Sequence, residues 1–166
     1  MCKRLIFLDI DGVLNSGKHF KQRVDQQNDV DDFDPEAVKN LNYIIEATHA
    51  KIVLSSTWRK TYDTVEKIQA LFDKVGIKGE CIGRTPVIYL AEESMCKPIF
   101  SCQRGTEIDH WIKKNMNNWN YRQYVIIDDD SDMLLKQAPN FFLTDNDVGL
   151  TPSVAYKIVN FLNSFN

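Results

Sequence analysis

Four short stretches of this 166-residue chain carry residues whose types and spacing could do chemistry. The first is Asp9-Ile10-Asp11-Gly12, closing the apolar run that begins at Leu5. Two carboxylates one residue apart share a face if the strand continues through them. Burying like charges together is costly unless a cation or a proton is shared between them. The second is Ser55-Ser56-Thr57-Trp58-Arg59, at the end of another apolar run. Small hydroxyls and free backbone N–H groups at such a place can hold phosphoryl oxygens. The third is Arg104, opening an amphipathic stretch, with a donor fork suited to oxyanions. Lys97 is the alternative cation. The fourth is Asp128-Asp129-Asp130, again ending an apolar run. A hard cation such as Mg²⁺ takes one or two carboxylates plus water, so Asp128 and Asp129 are placed to give one ligand and one neighbour that orients a water. Asp130 and Asp132 suit helix capping better.

Each stretch also has a plainer reading. Asp11-Gly12 could be a turn with solvated acids, the Ser/Thr run could cap the helix after it, and Arg104 could lie on the surface. Trp58 reads as core or as a pocket wall, and Arg59 as a substrate contact or a solvated arginine at a helix start. His19, His49 and His110 show no ligand spacing.

Positioning these groups requires strands whose carboxyl ends meet. Apolar strand segments alternate with amphipathic helices, the pattern of a parallel sheet covered on both faces. The strands are expected at Arg4–Asp9, Lys51–Ser55, Gly79–Ile82, Tyr124–Asp128 and Phe141–Thr144. The helices are expected at Pro35–His49, Thr61–Val75, Thr106–Asn117, Asp132–Gln137 and Pro152–Phe165. Asp34-Pro35 and Thr151-Pro152 each pair an N-cap with proline at the first helical position, and Gly76 fits a C-terminal stop. Ser16–Asp34, with five aspartates, reads as a loop or short helical excursion, and Thr85–Arg104 as irregular.

The length fits one domain over residues 1–166, with room for a substantial core. A net charge of −3 gives no overall basic field for nucleic acid, although a local patch could still hold a nucleic-acid end. Cys2, Cys81, Cys96 and Cys102 lack metal-site or redox-pair spacing and read as free thiols; nothing supports a Cys96–Cys102 bridge. The start of the chain has no signal-peptide pattern and no run reaches membrane-spanning length, so a cytoplasmic protein is expected.

Together the four stretches resemble the haloacid dehalogenase (HAD) superfamily, mostly Mg²⁺-dependent phosphohydrolases. Asp9-Ile-Asp11-Gly-Val matches the D-x-D-G-[TV] signature and Ser55-Ser56-Thr57 the hydroxyl motif. Arg104 stands in the Lys/Arg position, and Ile127-Asp128-Asp129 matches the acidic motif. The resemblance spans nearly the whole chain and is nearest to small capless HAD domains, some grouped with nucleic-acid end-repair phosphatases. It implies a three-layer Rossmann-like α/β fold without a large cap. It implies Asp9 as the nucleophile that forms an aspartyl-phosphate, and Asp11 as the acid that protonates the leaving oxygen and then activates water. Mg²⁺ would sit between the Asp9 carboxylate, the Asp11 backbone carbonyl and Asp129. Ser56, ahead of Ser55, and Thr57 would hold phosphoryl oxygens, with Arg104 bracing Asp9 and the phosphoryl. The implied substrate is a phosphomonoester, with nucleotides and nucleic-acid ends among the options. A non-catalytic phosphate- or partner-binding module on the same fold is the alternative.

Overall fold

The computed structural model describes residues 4–26, 33–90, 100–115 and 123–164. Cys2, Lys97 and Cys96, with its conceivable bridge to Cys102, lie outside them. Five parallel strands form the sheet: β1 (Leu5–Leu8), β2 (Lys51–Leu54), β3 (Cys81–Arg84), β6 (Tyr124–Asp128) and β7 (Phe141–Leu143). Their spatial order is β3-β2-β1-β6-β7, which puts β1 at the centre. Leu5 pairs with Lys51 on one side and Tyr124 on the other, and Leu8 with Leu54 and Ile127. All four β1 side chains are fully buried, as expected of a strand covered on both faces.

Side-chain alternation divides the core in two. Ile6 and Leu8 face the helices α2 (Pro35–Thr48), α3 (Val65–Val75) and α5 (Pro152–Asn163). Leu5 and Phe7 face α4 (Arg104–Asn115), where Phe7 meets the ring edges of Trp111 and Tyr124 at 5.4 and 5.7 Å. Burial of each such large apolar side chain contributes about 1.5–3 kcal/mol, so the sheet centre is a firm platform for whatever follows β1 and β6.

The marked helix ends are present. Asp34 accepts from the Glu36 N–H, Thr151 from the Val154 N–H, and Gly76 closes α3 at φ +80°. Several expectations change. β3 begins two residues later than Gly79, and its ladder slips between Ile52 and Val53, which pair with Cys81 and Gly83. The helix expected from Thr61 splits: a 3₁₀ turn occupies Thr57–Lys60, and α3 starts afresh after its own N-cap, Thr64. The expected Asp132–Gln137 helix is a 3₁₀ segment at Leu135–Asn140. Within Ser16–Asp34 the helical option holds for residues 17–26, which form α1 (Gly17–Gln26). The stretch after Thr85 contains two short antiparallel strands, β4 (Tyr89–Leu90) and β5 (Phe100–Ser101). Among the described residues no large cap interrupts this order, and no helix is long and apolar enough to cross a membrane.

Candidate active site

Asp9 extends the ladder by one bond, its N–H donating to the Ile127 carbonyl at 3.0 Å. The chain then coils instead of continuing straight. Val13, Leu14 and Asn15 all donate to the carbonyl of Ile10, at 3.2, 2.8 and 3.0 Å, while Ile10, Val13 and Leu14 sink into the core. Gly12 turns at φ +70°, and a Cβ there would lie 2.3 Å from the Asp129 Cγ. This tight turn separates the two acids that an extended strand would have put on one face. Asp9 is 7% exposed, whereas Asp11 is exposed at the rim.

The last strand residue of β6 completes the buried side. Oxygens of Asp9, Asp128 and Asp129 lie within 4.8 Å of one another. Asp128 is 1% exposed; its Oδ1 accepts from the Asp130 N–H at 3.0 Å, and its Oδ2 has no hydrogen-bond partner. Burial pushes the Asp9 carboxyl up to about 6, against the Ser56 hydroxyl and the Arg104 charge, which favour ionisation. Burial and the charge of Asp9 push Asp128 up to about 8. Asp129 is raised too, by burial first and by Asp130 and Asp11 among its neighbours.

Arg104, the first residue of α4, is anchored by its own N–H to Asp132 Oδ2 at 2.8 Å, so Asp132 serves a helix end. Its Nε lies 3.7 Å from Asp128 Oδ2 and its Nη1 3.8 Å from Glu107 Oε2. Glu107, 2% exposed, is bonded at 2.5 Å to Arg59 Nη2, and its Oε1 accepts from the Ile88 N–H at 3.1 Å. Arg59 is 3% exposed and also donates to the Ser56 carbonyl. It is therefore neither solvated nor free to reach a substrate: it ties the turn after β2 to α4. Ser56 is fully buried, and its hydroxyl bonds Asp9 and accepts from the Trp58 N–H. Ser55 Oγ is buried without a partner, and Thr57 is exposed.

On the rim, Trp58 Nε1 donates to Asp11 Oδ2 at 3.0 Å, and Asn15 Nδ2 to Asp11 Oδ1 at 3.2 Å. The Trp58 ring is partly buried between the edge of Phe33 and the face of Tyr62.

A family model described as the HAD domain in Swiss Army Knife RNA repair proteins matches residues 5–155. The chain belongs to this family. Among solved structures, a haloacid dehalogenase-like hydrolase from Streptococcus pneumoniae is similar at 10% identity, covering 99% of each chain with a TM-score of 0.45. A putative HAD superfamily (subfamily III A) hydrolase from Legionella pneumophila is similar at 12% identity, covering 98% of this chain and 85% of its own, with a TM-score of 0.44. No curated protein matches the sequence.

This HAD domain has a donor set suited to a metal. Three carboxylates converge beside Arg104, and Asp128 Oδ2 is buried without a hydrogen-bond partner. All the donors are oxygen, which selects a hard cation. Of the acids matched to the metal motif, Asp9 and Asp129 share the cluster through their side chains, Asp128 joins them, and the Asp11 side chain is outside it. Sequence reasoning gave Glu107 no role. The signal was available only as an acid three residues beyond Arg104, on the same helical face.

Proposed function

We propose that this HAD domain is a Mg²⁺-dependent phosphomonoesterase acting through an aspartyl-phosphate on Asp9. The observation that carries the reading is the convergence of Asp9, Asp128 and Asp129 beside Arg104 at the carboxyl ends of the two central strands, where open α/β sheets bind ligands. Asp9, Asp129 and the Asp11 backbone carbonyl would hold Mg²⁺, with Asp128 alongside; when bound, the ion offsets the repulsion between carboxylates and phosphate.

The chain's own residues then divide the reaction. An Asp9 carboxylate oxygen attacks phosphorus as the bond to the leaving oxygen breaks, and Asp11 delivers its proton to that oxygen. Asp11, now ionised, takes a proton from water, whose oxygen attacks phosphorus and releases inorganic phosphate and free Asp9. Arg104 steadies the transferring group and the Asp9 charge. Ser56 and Thr57, with the backbone N–H groups of their turn, hold phosphoryl oxygens, Ser56 from the buried side and Thr57 from the rim. The rim, which no large cap covers among the described residues, leaves access for a bulky substrate. With the family's association with RNA repair proteins, that supports a nucleotide or nucleic-acid phosphate end. The reading treats residues 1–166 as one working domain in the cytoplasm, consistent with the free thiols of Cys81 and Cys102.

The test is turnover of an aryl phosphate with Mg²⁺. Asp9→Asn is expected to lower kcat by at least about 10³-fold while circular dichroism stays unchanged. Undiminished turnover removes Asp9 as the nucleophile. No turnover by the wild type, with phosphate still bound, favours the binding-module alternative. A panel of 3′-phosphorylated oligonucleotide, nucleotide, sugar phosphate and phosphopeptide then identifies the substrate class.

A further inference from the structure

Trp58 belongs to the 3₁₀ turn after β2, and that turn touches both aspartates of the first motif. Two residues before Trp58, at the N-cap of the turn, the Ser56 hydroxyl bonds the buried Asp9. Trp58 itself reaches the exposed Asp11, its Nε1 donating to Oδ2 at 3.0 Å. We propose that Trp58 is a positioning residue for Asp11, holding the carboxyl in the orientation from which it protonates the leaving oxygen. The inference rests on the reading of Asp11 as the acid of the proposed reaction.

The physical need is specific to an exposed acid. The terminal torsion of an aspartate is broad, so a rim carboxyl with no partners turns freely and loses directional proton transfer. Here both oxygens are held, Oδ2 by the Trp58 indole and Oδ1 by Asn15 Nδ2 at 3.2 Å. The indole is itself fixed. Phe33 meets it edge-on at 5.3 Å, Tyr62 stacks on it at 5.8 Å and 12°, and the Trp58 backbone carbonyl accepts from the Thr61 and Tyr62 N–H groups. Packing alone accounts for the ring. It does not account for an N–H aimed at a surface carboxylate, which water could satisfy equally well.

The proton inventory makes the contact matter most during bond cleavage. The proton leaves Asp11 for the leaving oxygen as the P–O bond breaks, and the electron pair of that bond goes to the oxygen being protonated. Asp11 becomes a carboxylate, and a hydrogen bond to an ionised acceptor is stronger than one to a neutral carboxyl. The indole bond therefore tightens as the transition state forms and contributes to rate instead of to ground-state binding.

Trp58→Phe keeps an aromatic ring between Phe33 and Tyr62 and removes the pyrrole part of the indole with its N–H. With Mg²⁺ present, kcat/KM is measured for 4-nitrophenyl, phenyl and alkyl phosphates. A nitrophenolate departs with little protonation, whereas an alkoxide requires it. The variant is expected to lose about tenfold on phenyl and alkyl phosphates, a part of the 10²–10⁴-fold typical of general acid catalysis, and several-fold less on 4-nitrophenyl phosphate. A loss equal across all three overturns the proposal and leaves Trp58 as a wall. The contact is also read without turnover: the Trp58 indole ¹H–¹⁵N resonance, assigned by its absence in Trp58→Phe, is expected to move in Asp11→Ala. A resonance that stays put overturns the contact whatever the activity. Absence of turnover in the wild type strikes the phosphatase reading and retained turnover in Asp9→Asn strikes the Asp9 route, and neither moves the indole resonance, so these failures are distinguishable from loss of the Trp58 contact.

Discussion

Asp9 and Asp11 stand two positions apart in the chain and live in different solvents. Asp9 is buried with Asp128 against Arg104 and the Ser56 hydroxyl, and Arg59 and Glu107 form a second buried ion pair behind them. Asp11 is exposed and held by two neutral donors, Trp58 and Asn15. On the buried side, every charge needs a partner because water is excluded, so geometry there follows from pairing and removal of one member is costly. On the rim, water can replace a lost partner, so side-chain donors set direction and contribute little to stability. One site thus combines a rigid, charge-dense floor with an adjustable edge.

The largest effect should come from breaking the floor. Glu107→Gln keeps the shape of the side chain but removes the direct ion-pair partner of Arg59, which is 3% exposed. The expected loss is about 3–5 kcal/mol of unfolding free energy in urea. Asp11→Asn on the rim should stay within about 0.5 kcal/mol. Similar losses for both would erase the contrast between the two regions.

Gly12 joins the regions, and replacing it should cost less. At φ +70° any side chain is strained, and an alanine Cβ would meet Asp129 Cγ at 2.3 Å. Gly12→Ala should destabilise by about 1–3 kcal/mol. By displacing Asp129 it should also weaken Mg²⁺ binding about tenfold in calorimetric titration, where a factor of ten is about 1.4 kcal/mol. Unchanged Mg²⁺ affinity in a destabilised variant would exclude Asp129 from the metal.

A smaller effect separates floor from rim by pH. Asp9 and Asp128 are raised from 3.8 to about 6 and about 8. Between about pH 4 and 8 the folded protein therefore holds protons that the unfolded chain has released. Stability from this pair is present below pH 4 and is lost as pH rises toward 8. Without divalent cation, Tm should fall as pH rises over that range. Mg²⁺ should raise Tm more at pH 8 than at pH 5, because its ligands must lose protons. An equal rise at both pH values would indicate binding elsewhere.

The floor and the rim also differ in how far they could be read from residue order. Runs such as Leu5–Leu8 and Tyr124–Asp128 announce buried parallel strands because both faces are covered. Asp34-Pro35 and Thr151-Pro152 announce helix starts through purely local bonding. The four motif stretches could therefore be assigned to strand ends. The split between Asp9 and Asp11 could not be foreseen, since it depends on one carbonyl, that of Ile10, collecting three N–H groups. Arg59 read equally well as a solvated residue, because its partner Glu107 is 48 positions away and meets it only once α4 packs on the sheet. The ladder slip beside Ile52 is likewise a property of two strands together.

The smallest effect concerns two adjacent hydroxyls. Ser56 is fully buried, bonded to Asp9 and capping the 3₁₀ turn, whereas Thr57 is exposed at its first position. Ser56→Ala removes a cap and a donor to the nucleophile, with an expected stability loss of about 1 kcal/mol and a lower kcat. Thr57→Ala should change stability by less than about 0.5 kcal/mol and raise KM by about twofold at constant kcat, the pattern of a contact equally strong in ground and transition states. The reverse assignment, with kcat falling only in Thr57→Ala, would mean that the rim hydroxyl follows the phosphoryl group through transfer while the buried one merely shapes the turn. The boundary between floor and rim would then run between Asp9 and Ser56, one side chain deeper than their hydrogen bond suggests.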